Sequence, residues 1–421
     1  MAKEKHLTSL DFTASHSGSI TRRDSMLTVL GSALALAGCG GGGGAVVAGA
    51  GGGAAGGATS ALTVGQITGF GSIILNGNGV RIDDSSASIS DDDGNDLRGR
   101  LRLGMCVAVV TASNGAGNSV AAQSIISSGE LQGRIVGTPN TAQNTFVVMG
   151  QTVKVVGATV FDTSLPNGFA SLATDTIVEV HGQLNANTNV LKASFIEKKT
   201  APAFFKIQGF VSNHNASTRK FNIGPILINY ANATELRLTP ANGLLVRVRL
   251  TAVLPPLALP AEWLATRVRG PEHLAENRGA FEIEGGVTSF TSSALFSVNG
   301  VPVDASTAVF ERGTAASIAL GVRVEVKGSL VNGMLIATRV KLEDDNELDE
   351  REFELHGSVA NLTATTFTLR GVTVEYGAAT LYRRGTVTNL VNGAQVEVKG
   401  VATTGTGAAT RILATRISFE S

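Results

Sequence analysis

The chain has 421 residues, and its 34 lysines and arginines are balanced by 34 aspartates and glutamates, so the formal net charge is zero. A neutral chain offers no basic field to nucleic acid, and we therefore expect no nucleic-acid partner. Two cysteines cannot build a disulfide-dense secreted scaffold, and 51 glycines are an excess whose placement along the chain is informative.

Residues 1–38 are predicted to be a signal peptide. The apolar stretch over 26–37 is too short for a membrane-spanning helix, which needs about 20 residues, but it fits the apolar region of a secretory signal. It ends in Leu36-Ala37-Gly38-Cys39, which resembles a bacterial lipobox. In lipoproteins with this motif the signal is cleaved before the cysteine, which is then acylated. We therefore expect a lipid anchor at Cys39 and a cell-envelope location, with the outer membrane favoured because glycine rather than aspartate follows the cysteine.

Arg22 and Arg23 resemble a twin-arginine export motif, although the bulky residue that often follows two positions later is missing. An ordinary basic start of a signal peptide explains the same pair, so both export routes stay open. Residues 39–61 then form a predicted tether, because twelve of the twenty residues from 38 to 57 are glycine and none is charged or large. A segment of this composition cannot pack and acts as a flexible spacer.

The rest of the chain is one unit repeated five times. The pattern Leu-Ala-Thr-Arg-Val at 264–268 recurs at 336–340 and 413–417, with weaker copies around Ala122 and Ala193. A fixed period of about 72 residues is typical of a tandem array. The predicted repeats are unit 1 (62–128), unit 2 (129–200), unit 3 (201–270), unit 4 (281–343) and unit 5 (352–421).

Each unit alternates apolar and polar residues in short segments that end in turns. Asn299-Gly300 between two alternating segments is a strong β-hairpin signal. A small sheet avoids exposed edges by closing into a barrel. We therefore predict an all-β chain, a tandem array of small five- to six-stranded OB-like β-barrels behind a disordered lipoprotein leader and glycine-rich tether. A small two-sheet sandwich is the alternative.

The order of these motifs resembles the bacterial DUF5666 family. The best match begins at Gly69-Phe70-Gly71-Ser72-Ile73 and continues through Val80-Arg81-Ile82-Asp83, and unit 3 is the most divergent copy. The resemblance implies repeated β domains and export. It implies no catalytic residues, because the family is named for its unknown function.

An acidic segment in unit 1 is the one candidate metal site. Asp91, Asp93 and Asp96 could offer carboxylates to Ca²⁺. An EF-hand register fails, because it would place Ile89 at the first ligand position and Arg100 at the last. An acidic hairpin tip is therefore the favoured interpretation.

The remaining histidines and the second cysteine give no reactive pattern. His181, His214, His273 and His356 are isolated from one another in sequence, so we expect single surface histidines and no zinc site. Cys106 lies in a predicted strand, where a buried thiol behaves as a small apolar group. We therefore expect no catalytic residues and no cofactor.

Three segments interrupt the repeats. Residues 271–278 and 343–350 are predicted to be solvated spacers between units. Residues 254–263 form a predicted loop that carries the single tryptophan, Trp263. The loop is either a binding tip or packs its own apolar residues against the barrel, and packing is favoured.

Three functions compete on this sequence. The favoured one is an exported, lipid-anchored array that is not catalytic and that binds or spaces, since repeats multiply weak contacts. The second is a glycan or other envelope-ligand module, for which the aromatic residues are Trp263, Tyr230, Tyr376 and Tyr382. An enzyme or an OB protein for single-stranded nucleic acid is less favoured. The oligomeric state stays open.

Overall fold

The computed structural model describes residues 60–77, 80–112, 119–253, 262–270, 277–344, 349–403 and 410–420. The predicted signal peptide with Arg22 and Arg23, the lipidation site Cys39 and all of the tether before residue 60 lie outside the described residues. The described chain is all-β, as predicted, with short 3-10 turns at Gly168–Ser171, Ala315–Ser317 and Val387–Asn389. None of its helical segments has the length and hydropathy required to cross a bilayer.

The strands are grouped here by the predicted units, and β1 and β18 begin one and three residues before the predicted starts of units 1 and 4. Unit 1 contains β1 (Ala61–Phe70), β2 (Ile73–Leu75), β3 (Arg81–Asp83), β4 (Ser88–Asp91), β5 (Cys106–Thr111) and β6 (Ser119–Ser127). Unit 2 contains β7 (Leu131–Asn140), β8 (Thr145–Val148), β9 (Gln151–Phe161), β10 (Ile177–Asn185) and β11 (Val190–Lys198). Unit 3 contains β12 (Phe204–Asn215), β13 (Lys220–Ile223), β14 (Ile226–Asn229), β15 (Glu235–Leu236), β16 (Leu245–Thr251) and β17 (Glu262–Arg269). Unit 4 contains β18 (Arg278–Ser292), β19 (Leu295–Val298), β20 (Val301–Asp304), β21 (Val309–Glu311), β22 (Arg323–Val331) and β23 (Met334–Leu342). Unit 5 contains β24 (Glu352–Ser358), β25 (Thr366–Leu369), β26 (Val372–Glu375), β27 (Leu381–Arg383), β28 (Gln395–Thr403) and β29 (Arg411–Phe419).

Each unit closes into a barrel with one strand order. In unit 4, β18, β19 and β20 form an antiparallel meander, and β20 then lies parallel to β23. Strand β22 pairs antiparallel with both β23 and β18, which closes the ring, and the short β21 adds to the end of β23. The other units repeat this order, with the third and fourth strands merged into β9 in unit 2. The prediction of small closed OB-like barrels with five to six strands is confirmed.

Two local signals explain the repeated motifs. Asn299 and Gly300 both have positive φ, 48° and 82°, which is the geometry of a two-residue hairpin turn. The glycine that ends the pattern Val-Glu-Val-Lys-Gly in unit 4 lies at a bulge between β22 and β23. A Cβ atom at Gly328 would stand 2.0 Å from the carbonyl oxygen of Ile336, so only glycine fits there without displacing the backbone.

The barrels also share strands with one another. Strand β1 of unit 1 runs parallel to β18 of unit 4 at one end and to β24 of unit 5 at the other. Strand β7 of unit 2 pairs with β12 of unit 3. The buried apolar residues follow this grouping: one cluster joins units 2 and 3, a second joins units 1 and 5, and a third fills unit 4. The described units therefore belong to one compact body rather than to a string of separate domains.

Two predictions about the interrupting segments are corrected here. Trp263 is not in a loop, because β17 begins at Glu262 and its alternation turns the indole into the core against Phe205, with ring centroids 6.0 Å apart. Glu343 is not solvated either, since its side chain is 4% exposed and pairs with Lys341 and Arg312. Residues 254–261, 271–276 and 345–348, including His273, lie outside the described residues.

Candidate functional site

The acidic segment of unit 1 forms a tight turn after β4. Asp91 Oδ1 accepts hydrogen bonds from the backbone N–H groups of Asp93 (2.9 Å) and Asn95 (2.8 Å). Asp96 Oδ1 accepts one from the backbone N–H of Arg98 at 2.9 Å. Two of the three carboxylates proposed for calcium thus hold the turn itself together.

The tip of this turn is buried against unit 3. Asp93 Oδ1 lies 2.8 Å from Arg249 Nη1 and 2.9 Å from Arg267 Nη1, and the Asp93 side chain is only 5% exposed. Its neighbour Asp92 lies 2.8 Å from Arg269 Nη2 and 3.4 Å from Lys206 Nζ. The predicted acidic tip therefore exists, but it is an ion-paired plug between two barrels, and the three candidate calcium ligands point to different partners.

The pKa values of the two plug carboxyls move in opposite directions. Burial raises the pKa of Asp93, and the charge of Asp92 adds to the rise. Burial acts on Asp92 as well, but Lys206, Arg247 and Arg269 outweigh it and lower its pKa. Asp92 is therefore the carboxylate that the surrounding cations stabilise most.

The basic partners explain why unit 3 diverges from its neighbours in sequence. The outward-facing position that carries Glu179 in unit 2, Glu325 in unit 4 and Glu397 in unit 5 carries Arg247 in unit 3. Arg249 follows two positions later on the same face. At position 247 unit 3 thus presents a cation where units 2, 4 and 5 present a carboxylate, and the acidic turn of unit 1 contacts the surface that carries Arg249.

A second cluster joins unit 1 to unit 2. The backbone N–H of Cys106 donates to His181 Nδ1 at 3.2 Å, and the Cys106 thiol lies 3.8 Å from both the Gly182 carbonyl oxygen and Ser194 Oγ. His181 is 2% exposed and meets Phe195 edge to face, so the predicted surface location is wrong for this histidine. Alternation turns its ring away from its own barrel, and unit 1 covers it there.

The same junction contains a buried carboxyl. Glu130 Oε2 accepts the backbone N–H of Gly182 at 2.8 Å, and Glu130 Oε1 lies 3.3 Å from Arg247 Nη2. Arg247 Nε donates to Gln208 at 3.0 Å, and its Nη1 donates to Ser128. Burial raises the pKa of Glu130 to about 7, although Arg247 opposes the rise. The cluster therefore ties units 1, 2 and 3 together.

Protonation states at this junction do not suit nucleophilic chemistry. Burial raises the pKa of the Cys106 thiol far above its usual value, so the reactive thiolate is suppressed. Burial also lowers the pKa of His181 to about 4, which keeps the ring neutral near pH 7. A cysteine activated by an imidazolium needs the reverse of both shifts. The prediction that Cys106 lies in a strand is confirmed, since it begins β5.

The cavity beside these groups is small. It measures about 100 Å³ and is lined by Cys106, Glu130, Gln208 and Arg247 together with apolar residues of β1, β18 and β20. Binding pockets for drug-sized ligands usually hold roughly 300–1,000 Å³. A volume of this size accommodates a few water molecules, at about 30 Å³ each. The cavity is therefore a small gap at the interface between barrels and is too small for a drug-sized ligand.

His356 is the second buried histidine that sequence reasoning placed on the surface. It is 5% exposed and lies under Arg81 of unit 1, with 3.0 Å between Arg81 Nη2 and His356 Nε2. His356 also lies 2.6 Å from Glu354 and 2.7 Å from Glu420. Burial alone would lower the pKa of His356, but hydrogen bonds to these two carboxylates raise it. His214, by contrast, is half-buried and bonds to Tyr230 within unit 3.

Two groups of side chains bring potential metal ligands close together among the described residues. In each group the ligand atoms lie within 4.8 Å of one another: Cys106, Glu130 and His181, and Glu354, His356 and Glu397. Neither includes the predicted calcium ligands. Arg247 contacts the first group, and Lys399 and Arg416 contact the second. Positive side chains thus occupy the carboxylates that a divalent cation would need.

Comparison with known protein families identifies three matching segments. Residues 132–197, 284–341 and 356–413 match the family described as Domain of unknown function (DUF5666). These segments lie in units 2, 4 and 5, and units 1 and 3 share their strand order. A comparison with curated proteins found no match.

Proposed function

We propose that this protein, whose units 2, 4 and 5 match the DUF5666 family, is an exported and lipid-anchored protein of the cell envelope with a non-catalytic binding or structural role. The observation that carries the proposal is that side chains with potential reactivity are engaged in contacts between the barrels. Asp93, Cys106 and His181 each contact a residue of another barrel, and these contacts join the barrels.

The first strand of the folded body, β1, is hydrogen-bonded to several other strands. Strand β1 begins at Ala61, the last residue of the predicted tether, and pairs with β2 and β5 of its own barrel as well as with β18 and β24. A load transmitted from an anchor would therefore be distributed over three barrels. This arrangement suits a rigid body held at a membrane by a flexible tether.

A glycan-binding role receives less support. Sugar platforms use exposed aromatic rings, but Trp263 is 9% exposed and Tyr230 is 4% exposed. Both lie in the apolar cluster of units 2 and 3. The role proposed here therefore does not depend on stacking against a sugar.

The anchor is tested by replacing the predicted lipidation site. Cys39→Ser should move the protein from the membrane fraction to the soluble fraction and abolish incorporation of labelled palmitate. Cys106→Ser is the matched control, because that thiol lies inside the body and the variant should stay with the membrane. Membrane retention of Cys39→Ser at the wild-type level would contradict the proposal.

A further inference from the structure

A charged cleft of about 680 Å³ opens on unit 5. Its walls are formed by Arg81 of unit 1 and by Arg383, Arg384, Glu397, Arg416, Ser418 and Glu420 of unit 5. The volume falls within the roughly 300–1,000 Å³ range of ligand sites. Unlike the junction cavity, this cleft is large enough for a ligand, and charged and hydroxyl side chains line it.

The cleft has more positive than negative charge. Glu397 is paired with Arg416 at 3.2 Å, and Glu420 is paired with His356 at 2.7 Å. Arg383 and Arg384 are exposed, and neither forms an ion pair with any residue that the structure describes. Glu397 is thus matched by the Arg416 cation and Glu420 is engaged by His356, and two arginines remain to act on a ligand.

Two of the arginines are held in place. Arg416 is held by its contact with Glu397 at 3.2 Å, and Arg81 is held by Glu354 at 3.7 Å. Fixed guanidinium groups lose little conformational freedom when they bind an anion. Arg383 and Arg384, at the end of β27, can adjust to the ligand.

Comparison with unit 4 shows that the barrel fold does not require an excess of arginines on this wall. Strand β21 lies along β23 as β27 lies along β29, so Glu311 corresponds to Arg383 and Lys341 corresponds to Ser418. On unit 4 this wall is neutralised internally, with Arg339 3.5 Å from Glu311 and Lys341 2.5 Å from Glu343. The same fold thus forms with a balanced wall, and the arginine excess belongs to unit 5 alone in this comparison.

We propose that the unit 5 cleft binds a phosphate-bearing ligand. Planar guanidinium groups form paired hydrogen bonds with phosphate oxygens, and arginine is the residue that suits such contacts best. The phosphate belongs either to a soluble phosphorylated compound or to a lipid headgroup, and the chemistry of recognition is the same. This assignment gives the proposed binding role its ligand class and does not depend on the lipid anchor.

The test uses the full chain with Cys39→Ser, so that an acyl anchor cannot itself cause vesicle binding. Binding is measured by calorimetry with inorganic pyrophosphate and by co-sedimentation with phosphatidylcholine vesicles, with and without phosphatidic acid. Arg383→Ser with Arg384→Ser should weaken binding at least tenfold. Arg312→Ser on unit 4 is the matched control, because Arg312 occupies the position equivalent to Arg384 and is largely exposed.

Each outcome decides between sources or overturns the assignment. Binding to pyrophosphate with no preference for phosphatidic acid identifies a soluble ligand. Binding only to phosphatidic acid vesicles identifies a headgroup. Failure of the parent protein to bind either probe, or an equal loss in the Arg312→Ser control, overturns the cleft assignment while leaving the anchor and the fold untouched. The measured affinity should also fall as salt concentration rises.

Discussion

Glu284 is the best position at which to measure how strongly the barrels are joined. Its carboxylate in unit 4 lies 2.6 Å from Arg351, which precedes unit 5, and also contacts Arg323. The side chains of Glu284, Arg323 and Arg351 are 3%, 2% and 8% exposed. Arg351 also donates to Gln66 of unit 1 at 3.2 Å, so this cluster connects units 1 and 4 with the residue that leads into unit 5.

Replacing Glu284 with Gln should therefore be costly. The substitution keeps the shape of the side chain but leaves two buried guanidinium groups without a counter-charge. Removing one partner of a buried ion pair typically costs about 3–5 kcal/mol, because the remaining charge stays desolvated. Arg323 would then have only neutral acceptors, among them the Asp344 carbonyl oxygen at 3.0 Å. Because Arg323 and Arg351 lower the pKa of Glu284 despite its burial, the carboxylate is charged at neutral pH.

The chain provides a matched control on the neighbouring strand. Glu325 lies directly opposite Glu284 in the pairing of β18 with β22. Its partners Lys327, Arg339 and Lys341 are 31%, 37% and 22% exposed, so solvent can screen them if the carboxylate is removed. Glu325→Gln should therefore cost about 1 kcal/mol or less.

The assay is urea unfolding of the full chain followed by far-ultraviolet circular dichroism, because uncharged urea does not screen ion pairs as guanidinium salts do. Glu284→Gln should lower the free energy of unfolding by several times more than Glu325→Gln. Equal effects of the two substitutions, both below about 1 kcal/mol, would refute the claim that this buried cluster holds the barrels together.

Further predictions concern the junction of units 1 and 2. Glu130 has its pKa raised to about 7, so its contribution to stability is largest below pH 4.5 and is lost as pH rises from 4.5 to 7. His181 has its pKa lowered to about 4, so its contribution is present above pH 6.5 and is lost as pH falls to 4. Glu130→Gln removes the first of these contributions and leaves that of His181, so the free energy of unfolding in urea should fall as the pH is lowered. His181→Asn leaves the contribution of Glu130, so the free energy of unfolding should fall as the pH is raised. The same pH dependence in both variants would contradict both assignments. Cys106 should resist a thiol reagent in the native Cys39→Ser protein and react once in urea, and rapid native labelling would show that the thiol is accessible.

The barrel architecture could be predicted because its signals are local. An Asn-Gly hairpin such as 299–300 and the bulge glycine at 328 act between residues close in sequence, and period-2 alternation indicates which side chains face the barrel interior. The repeat then confirms each local signal several times. These are the features that packing imposes on every copy.

The contacts between barrels could not be predicted, because the residues that form them are distant from each other in sequence. Asp93 and Arg267 are 174 positions apart, and Arg81 and His356 are 275 positions apart. Alternation indicates that His181 and His356 leave their own barrels, but it does not indicate that another barrel covers them. Both were therefore expected on the surface. The one usable signal was the replacement of glutamate by Arg247 in unit 3, which marks a surface with a different partner.

The zero net charge has a structural meaning once these contacts are known. Five barrels with the same apolar framework could pack on one another in many arrangements, and complementary charges select among them. The acidic turn of unit 1 fits the arginines of unit 3, where Asp93 contacts Arg249 and Arg267 and Asp92 contacts Arg269. Charges that match inside the body cancel in the sum over the chain. Within the described part of the chain, the cleft of unit 5 keeps an excess of arginines over carboxylates, and the phosphate-bearing ligand proposed above would balance it.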